Sequence, residues 1–224
     1  MSIGFRVLPV ERRVPADLVK RAAQLPVANV SDAMNRMFAG GASLRPMHGG
    51  GVLAGPAVTV KARPGDNLML HRALDIAEPG DVVVVDGGGD LTNALIGELM
   101  VAHAESRGLA GIVIFGAIRD AAAIRAGSFP VFAAGITHRG PYKDGPGEVN
   151  VPIAIDGMVI QPGDLILGDD DGLIAVTIDE AEAVCAKAAA KHAAETEQMA
   201  KIRRGENPRA WVEETLKRLG CEGI

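Results

Sequence analysis

Val82-Val83-Val84-Val85-Asp86-Gly87-Gly88-Gly89-Asp90 is the stretch whose reading decides the fold. Four consecutive β-branched apolar residues, with no polar alternation, read as a strand buried on both faces. An aspartate and three glycines then end it in a tight turn. Downstream, the spacing predicts a helix over about 93–107, with Leu95, Leu99, Ala102 and Ala104 inward and Gly108 as its end. A second buried strand follows at 111–115, then Gly116 and Ala117. Upstream, Pro79-Gly80-Asp81 makes a turn, and Asp66 is placed to cap a helix over 67–77.

Further out the signals are shorter. Residues 15–25 read as a helix with Pro15 at its start, and a second short helix is expected from Ser31 or Asp32. A loop over 39–51 precedes strands at 52–53 and 57–62, on either side of Gly55-Pro56. Asp120 could cap a helix over 121–126, before a strand at 129–133 and a polar, glycine-rich loop over 135–148. Strands near 149–154 and 158–160 bracket Asp156-Gly157, a hairpin signal, and 165–168 and 173–177 flank Asp169-Asp170-Asp171-Gly172. The chain closes with helices over about 179–203 and 208–218. No repeat and no long linker divides it. The expected fold is a single α/β domain over 1–224. A mixed sheet lies in a β/β/α sandwich or barrel-like arrangement with flanking helices, and a helical extension begins near 179. The even rhythm of a doubly wound sheet is lacking.

With 224 residues, 48% of them hydrophobic and 23% charged, the chain can bury a sizeable core. Only 3% are aromatic, so that core must be aliphatic. The net charge of −5 and the lack of a basic stripe argue against a nucleic-acid partner. No apolar run approaches a membrane span, and the first residues lack the pattern of a secretory leader. Cys185 and Cys221 match no zinc spacing and read as free thiols. A cytoplasmic location is the expectation.

Two segments carry candidate chemistry. Gly97-Glu98-Leu99-Met100 and Arg119-Asp120 are separated by twenty residues, and each lies past the end of an expected strand, where α/β proteins build sites. If the helix restarted at Gly97, free amides there would suit an anion. Taken alone, Gly97 could serve packing and Glu98 could be a solvated side chain. Arg119 offers a planar, permanently charged fork for an oxyanion, and Asp120 is a hard ligand for a divalent cation. The plainer reading is a surface arginine beside an N-cap. Asp169-Asp170-Asp171 is read as turn chemistry rather than a metal cluster. None of the five histidines shows ligand spacing, although His138 sits in the long polar loop. No glycine-rich nucleotide loop follows the first strand, which argues against a methyltransferase.

The paired segments resemble the RraA-like family. It includes class II 4-hydroxy-4-methyl-2-oxoglutarate / 4-carboxy-4-hydroxy-2-oxoadipate aldolases and regulators of RNase E activity. The resemblance runs from Val30-Ser31-Asp32-Ala33 to Gly168-Asp169-Asp170-Asp171-Gly172. It implies a metal-dependent lyase that cleaves a small 2-oxo acid through a pyruvate enolate, with oxaloacetate decarboxylation as a second reaction of the same site. The alternative is a non-enzymatic regulator that binds an RNA-processing nuclease. On the lyase reading Asp120 binds Mg²⁺ or Mn²⁺, and Arg119 stabilises the enolate. Gly97, Glu98, Leu99 and Met100 hold the substrate carboxylate, and Glu98 activates a water. Aldolase members typically carry Asp where this chain has Glu98. The resemblance also implies a homotrimer or homohexamer. In such an assembly a glutamate of the last long helix, Glu195 or Glu197, could complete a neighbouring site; its plainer reading is a solvated face.

Overall fold

Alternate valines of the 82–85 stretch enter two different cores. Val82 and Val84 pack with Phe132, Ile153 and Met158, whereas Val83 and Val85 pack with Leu70, Ile112 and Ile114. That division is the period of two of a strand with both faces covered. The computed structural model describes residues 3–37 and 43–224.

The elements run as follows: β1 Phe5–Val7, α1 Ala16–Ala22, α2 Val27–Ala33, β2 Arg45–Pro46, β3 Leu53–Ala62, α3 Leu68–Ile76 and β4 Val82–Asp86. Next come β5 Ala94–Ile96, α4 Glu98–Ser106, β6 Gly111–Ile118, α5 Ala121–Ala126, β7 Val131–Ile136 and β8 Gly147–Val149. The last are β9 Ile153–Ile155, β10 Met158–Ile160, β11 Leu165–Asp169, β12 Gly172–Val176, α6 Ala181–Arg203 and α7 Ala210–Arg218.

The main sheet has the order β1-β8-β3-β4-β6-β7-β2. Its centre, β3-β4-β6-β7, is parallel, and antiparallel pairs flank it. Helices α3, α4 and α5 cover one face through Leu70, Leu74, Val101, Ala104 and Ile124. On the other face lie β9–β10 and β11–β12, whose outer side is closed by α1, α2 and α6. The result is a mixed α/β domain with a layered sheet and flanking helices. It is not doubly wound, because the helices of the parallel unit all lie on one face.

Several expected elements differ. The helix expected over 93–107 is a short strand, β5, then a helix that starts only after Gly97. Leu95 is therefore buried as a strand residue, while Leu99 (80% exposed) and Ala102 face outward. The second helix starts at Val27, not at Ser31 or Asp32; the first N–H of α2 is held by Asp169 Oδ2 at 2.9 Å, from the far hairpin. The first helix is also shorter than expected, spanning only α1. The strands at 52–53 and 57–62 are one strand, β3. Its first half pairs with β11 and its second with β4, so the Gly-Pro step does not break it. The strand expected over 149–154 breaks at Asn150, whose φ of 59° is left-handed, and yields β8 and β9. Strand β7 begins and ends later than expected, which shortens the polar loop at both ends. The hairpins at Asp156-Gly157 and Asp170-Asp171, and the last two helices, form where expected. Residues 38–42, and with them positions 39–42 of the expected loop over 39–51, lie outside the described residues.

Candidate active site

Strands β5 and β6 run parallel and end side by side, so Gly97 and Arg119 emerge from one edge of the sheet; Arg119 N–H donates to Ile96 O at 2.9 Å. This sheet end brings the two distant segments into contact. Helix α4 starts directly after Gly97. Asp120 takes the N-cap position of α5, and its carbonyl accepts the N–H groups of Ala123 and Ile124. Its side chain does not cap that helix, contrary to the sequence expectation. With φ 56° and ψ 34°, Asp120 is left-handed, a conformation Asp tolerates better than most residues. Its Oδ2 instead accepts the Glu98 N–H, at the start of α4, at 3.0 Å.

This crossing explains Gly97. A Cβ there would run into the Asp120 carboxylate and would lie 3.1 and 3.2 Å from Arg119 Cγ and Nε. Glycine is needed for close approach, not for its backbone angles, which are extended. Of the four N–H groups that the first segment offers, Glu98's is taken by Asp120, and Met100's donates to Gly97 O at 3.1 Å. Those of Gly97 and Leu99 have no hydrogen-bond partner among the described residues. Arg119 Nε lies 3.9 Å from Asp120 Oδ2, a loose pair that leaves the guanidinium fork available. Both side chains are close to half exposed.

Together these groups line a cleft of about 240 Å³, with Gly97, Glu98, Leu99, Met100, Arg119 and Asp120 all at its wall. The structure adds residues that sequence reading missed: Asn67, the residue before α3, His71 within α3, and Pro141 and Lys143 from the loop after β7. Burial, seconded by the charge of Lys143, holds the His71 imidazole below its usual pKa and so favours its neutral form. Asn67 is almost fully buried; its Nδ2 donates to Leu95 O at 2.8 Å, and its Oδ1 has no partner among the described residues. No local signal marks these residues, because sheet order brings them to the cleft. A second hollow lies on the other side of Arg119 and Asp120, walled by Ile136, Thr137 and His138. His138 lines this hollow and not the cleft.

Among the described residues no three His, Cys, Asp or Glu side chains are grouped as a metal cage. Asp120 nevertheless suits one kind of cation. Its Oδ2 is held by an amide, Oδ1 has no partner among the described residues, and the carboxylate is accessible. A single hard oxygen ligand fits Mg²⁺ or Mn²⁺, which keep most of their waters.

Other acidic residues are engaged within their own chain. Asp169 spends both oxygens, on the N–H groups of Val27 and Asp171. Glu195 pairs with Lys191 at 2.7 Å and accepts from Asn29 at 2.6 Å, which holds its carboxyl below the usual range; Glu197 pairs with Lys201. Neither glutamate lines the cleft of its own chain. Both cysteines are free. Among the described residues no helix is long and apolar enough to cross a membrane.

Comparison with known proteins places this geometry in context. Residues 27–175 match the RraA-like family model, described as Aldolase/RraA. A protein of Halalkalibacterium halodurans is 39% identical over 177 residues, covering 79% of this chain and 84% of its own; its name is "Putative 4-hydroxy-4-methyl-2-oxoglutarate aldolase". The crystal structure of an uncharacterized protein from Pseudomonas syringae superposes with a TM-score of 0.76 at 27% identity, over 86% of this chain and 95% of that one. The RNA-processing inhibitor RraA from Thermus thermophilis superposes with a TM-score of 0.62 at 30% identity, over 68% and 93%.

Proposed function

Since the chain belongs to the RraA-like family, Aldolase/RraA, we propose that it is a divalent-metal-dependent lyase cleaving a small 2-oxo acid, of the 4-hydroxy-4-methyl-2-oxoglutarate aldolase type. The aldolase name of its relative supports this reading. The observation that carries it is the crossing at Gly97. One carboxylate with a spare oxygen, one guanidinium held only by a loose pair, and two amides with no partner among the described residues meet in one cleft.

Asp120 Oδ1 would hold the Mg²⁺ or Mn²⁺ ion, which when bound draws electron density from the 2-oxo acid end of the substrate. The N–H groups of Gly97 and Leu99, at the positive end of α4, receive the substrate carboxylate. Glu98, the first residue of α4, positions a water that takes the proton from the substrate hydroxyl. The carbon–carbon bond breaks, the hydroxyl carbon becomes a carbonyl, and the bonding pair passes to the pyruvyl half as an enolate. Arg119 donates to that enolate oxygen as charge builds there. The same water returns a proton to the enolate carbon, giving pyruvate. Decarboxylation of oxaloacetate leaves the same enolate, so Arg119 serves it equally. The active assembly is a homotrimer or homohexamer.

The test is pyruvate release from a panel of 2-oxo acids, with and without Mg²⁺ and with excess chelator. Activity that vanishes in chelator and returns with Mg²⁺ or Mn²⁺ supports the reading. Full activity in chelator, or a lysine adduct trapped by borohydride, overturns it. Likeness to the Thermus RNA-processing inhibitor favours a second reading, a protein-binding regulator. It predicts no pyruvate release under any metal condition.

A further inference from the structure

The cleft's α3 side depends on a loop segment, residues 139–145, that has almost no regular structure of its own. At one end, Arg139 O accepts the Ala94 N–H at 2.8 Å, and Gly140 O accepts from Asn93 Nδ2. At the other end, Tyr142 makes a parallel bridge to Asp66: its N–H donates to Gly65 O at 2.8 Å, and its carbonyl accepts the Asn67 N–H at 3.0 Å. The segment thus spans from the start of β5 to the start of α3. Pro141 and Lys143, which line the cleft, lie within this span.

Asp66 stands at the junction and is 2% exposed. Its Oδ2 accepts the N–H groups of Asp144 at 2.7 Å and Gly145 at 2.8 Å, with Arg63 Nη2 at 3.4 Å. Its Oδ1 accepts the Leu68 N–H at 2.9 Å and so starts α3. One carboxylate therefore ties the loop to the helix that carries His71. Lys143 sits between two residues, Tyr142 and Asp144, that are each bonded to 65–67.

We infer that Asp66 is a positioning residue for the reaction: its carboxylate holds the 139–145 strap against the start of α3 and so fixes Lys143 and Pro141 at the cleft wall. Asp66 itself touches no substrate. The inference rests on the cleft being the reaction site, and its physical half is measurable without that premise.

The experiment compares the parent, Asp66→Ala, Asp66→Asn and Lys143→Met by hydrogen exchange of 139–145 and by steady-state pyruvate release. Losing the acceptor of the Asp144 and Gly145 amides, the second of them buried, costs enough to speed exchange of the strap at least about tenfold in Asp66→Ala. KM for the 2-oxo acid should rise by about tenfold, with kcat changed by less than about threefold, as expected when a binding wall is loosened. Asp66→Asn keeps one oxygen, which can still face the loop amides, and should rescue most of both effects. Lys143→Met should raise KM with no change in exchange. The double variant Asp66→Ala/Lys143→Met should then raise it little further. A strap that stays protected in Asp66→Ala, or one that loosens without changing KM, overturns the inference. If the parent releases no pyruvate, the lyase reading fails by itself. Oxalate affinity then replaces KM, and the same pattern across the variants decides the role of Asp66.

Discussion

Asp120 and Asp169 occupy matching places in the chain. Each ends or follows a strand, and each reaches across the molecule to hold the first N–H of a distant helix: Glu98 of α4 for Asp120, Val27 of α2 for Asp169. The difference is in the remaining oxygen. Asp169 Oδ1 turns back to the Asp171 N–H at 3.0 Å and closes its own hairpin. Asp120 Oδ1 has no partner among the described residues, Arg119 stands beside it, and a cleft opens in front. An acidic residue that caps a helix is architecture when both lone-pair sets are spent inside the protein. It can take a ligand when one is left over.

That contrast is broken most sharply by removing charge at both places. Asp120→Asn keeps an oxygen for the Glu98 N–H but loses the charge a cation needs. Pyruvate release should fall to background and no longer respond to added Mg²⁺, as several kcal/mol of charge stabilisation disappear. Asp169→Asn should leave the rate unchanged. Equal losses in the two variants, or none in either, would remove the distinction.

Glu98→Gln tests whether the helix that Asp120 caps also delivers the base. Turnover should drop by about 10²–10⁴, the usual worth of general acid–base catalysis, while pyruvate or oxalate binds nearly as before. Calorimetry alongside steady-state rates separates the two. An active Glu98→Gln would remove Glu98 as the group that activates water.

Arg119→Lys follows. An ammonium does not reproduce the planar fork, and loss of a charge-assisted donor at a developing oxyanion costs roughly 3–4 kcal/mol, or about 10²–10³ in rate. The loss should be similar in aldol cleavage and oxaloacetate decarboxylation. A variant that keeps one and loses the other would show two sites rather than one.

The sequence made the Asp120 side of the contrast legible, because its parts are local. The glycine–carboxylate pair is visible in residues 97–100, although the expected helix ran through it from 93 and its restart after Gly97 came only with the structure, and Arg119-Asp120 follows a buried apolar run. The buried core strands were equally legible, since 82–85 and 111–115 are continuous apolar runs. Their partners were not. Asn67, His71 and Lys143 reach the cleft because β3, β4 and β6 stack in that order, and no residue near them states the order. The start of α2 was hidden for the same reason: its cap comes from 142 residues away. Strand β5 was missed because Leu95 faces inward in a helix or a strand alike, and a three-residue apolar run does not choose between the two periods.

Gly97→Ala sharpens the comparison from the backbone side. The new Cβ would meet the Asp120 carboxylate, so either that carboxylate leaves the Glu98 N–H or α4 shifts. A displacement of about an ångström in a catalytic group is worth on the order of 10²-fold in rate, and overpacking costs about 1–3 kcal/mol in stability. The rate should fall by more than the stability loss explains, read as activity at a temperature where the variant is still fully folded. Parent-like activity in Gly97→Ala would mean that the tight crossing is not needed for turnover.

Asp169→Ala has the smallest expected effect and probes the architectural half alone. It removes the acceptor for the Val27 N–H and for the Asp171 N–H. Val27 opens a seven-residue helix that has no side-chain cap of its own, and whose Val27 and Val30 are buried against β11 and β12. A lost helix cap typically costs about 0.5–2 kcal/mol, to which the freed hairpin amide adds little because it is exposed. Denaturant unfolding should therefore shift to a lower midpoint with an unchanged slope, and the rate of the folded enzyme should stay at the parent level. A rate loss without a stability loss would place Asp169 among the functional carboxylates, and the rule drawn from the spare oxygen would fail.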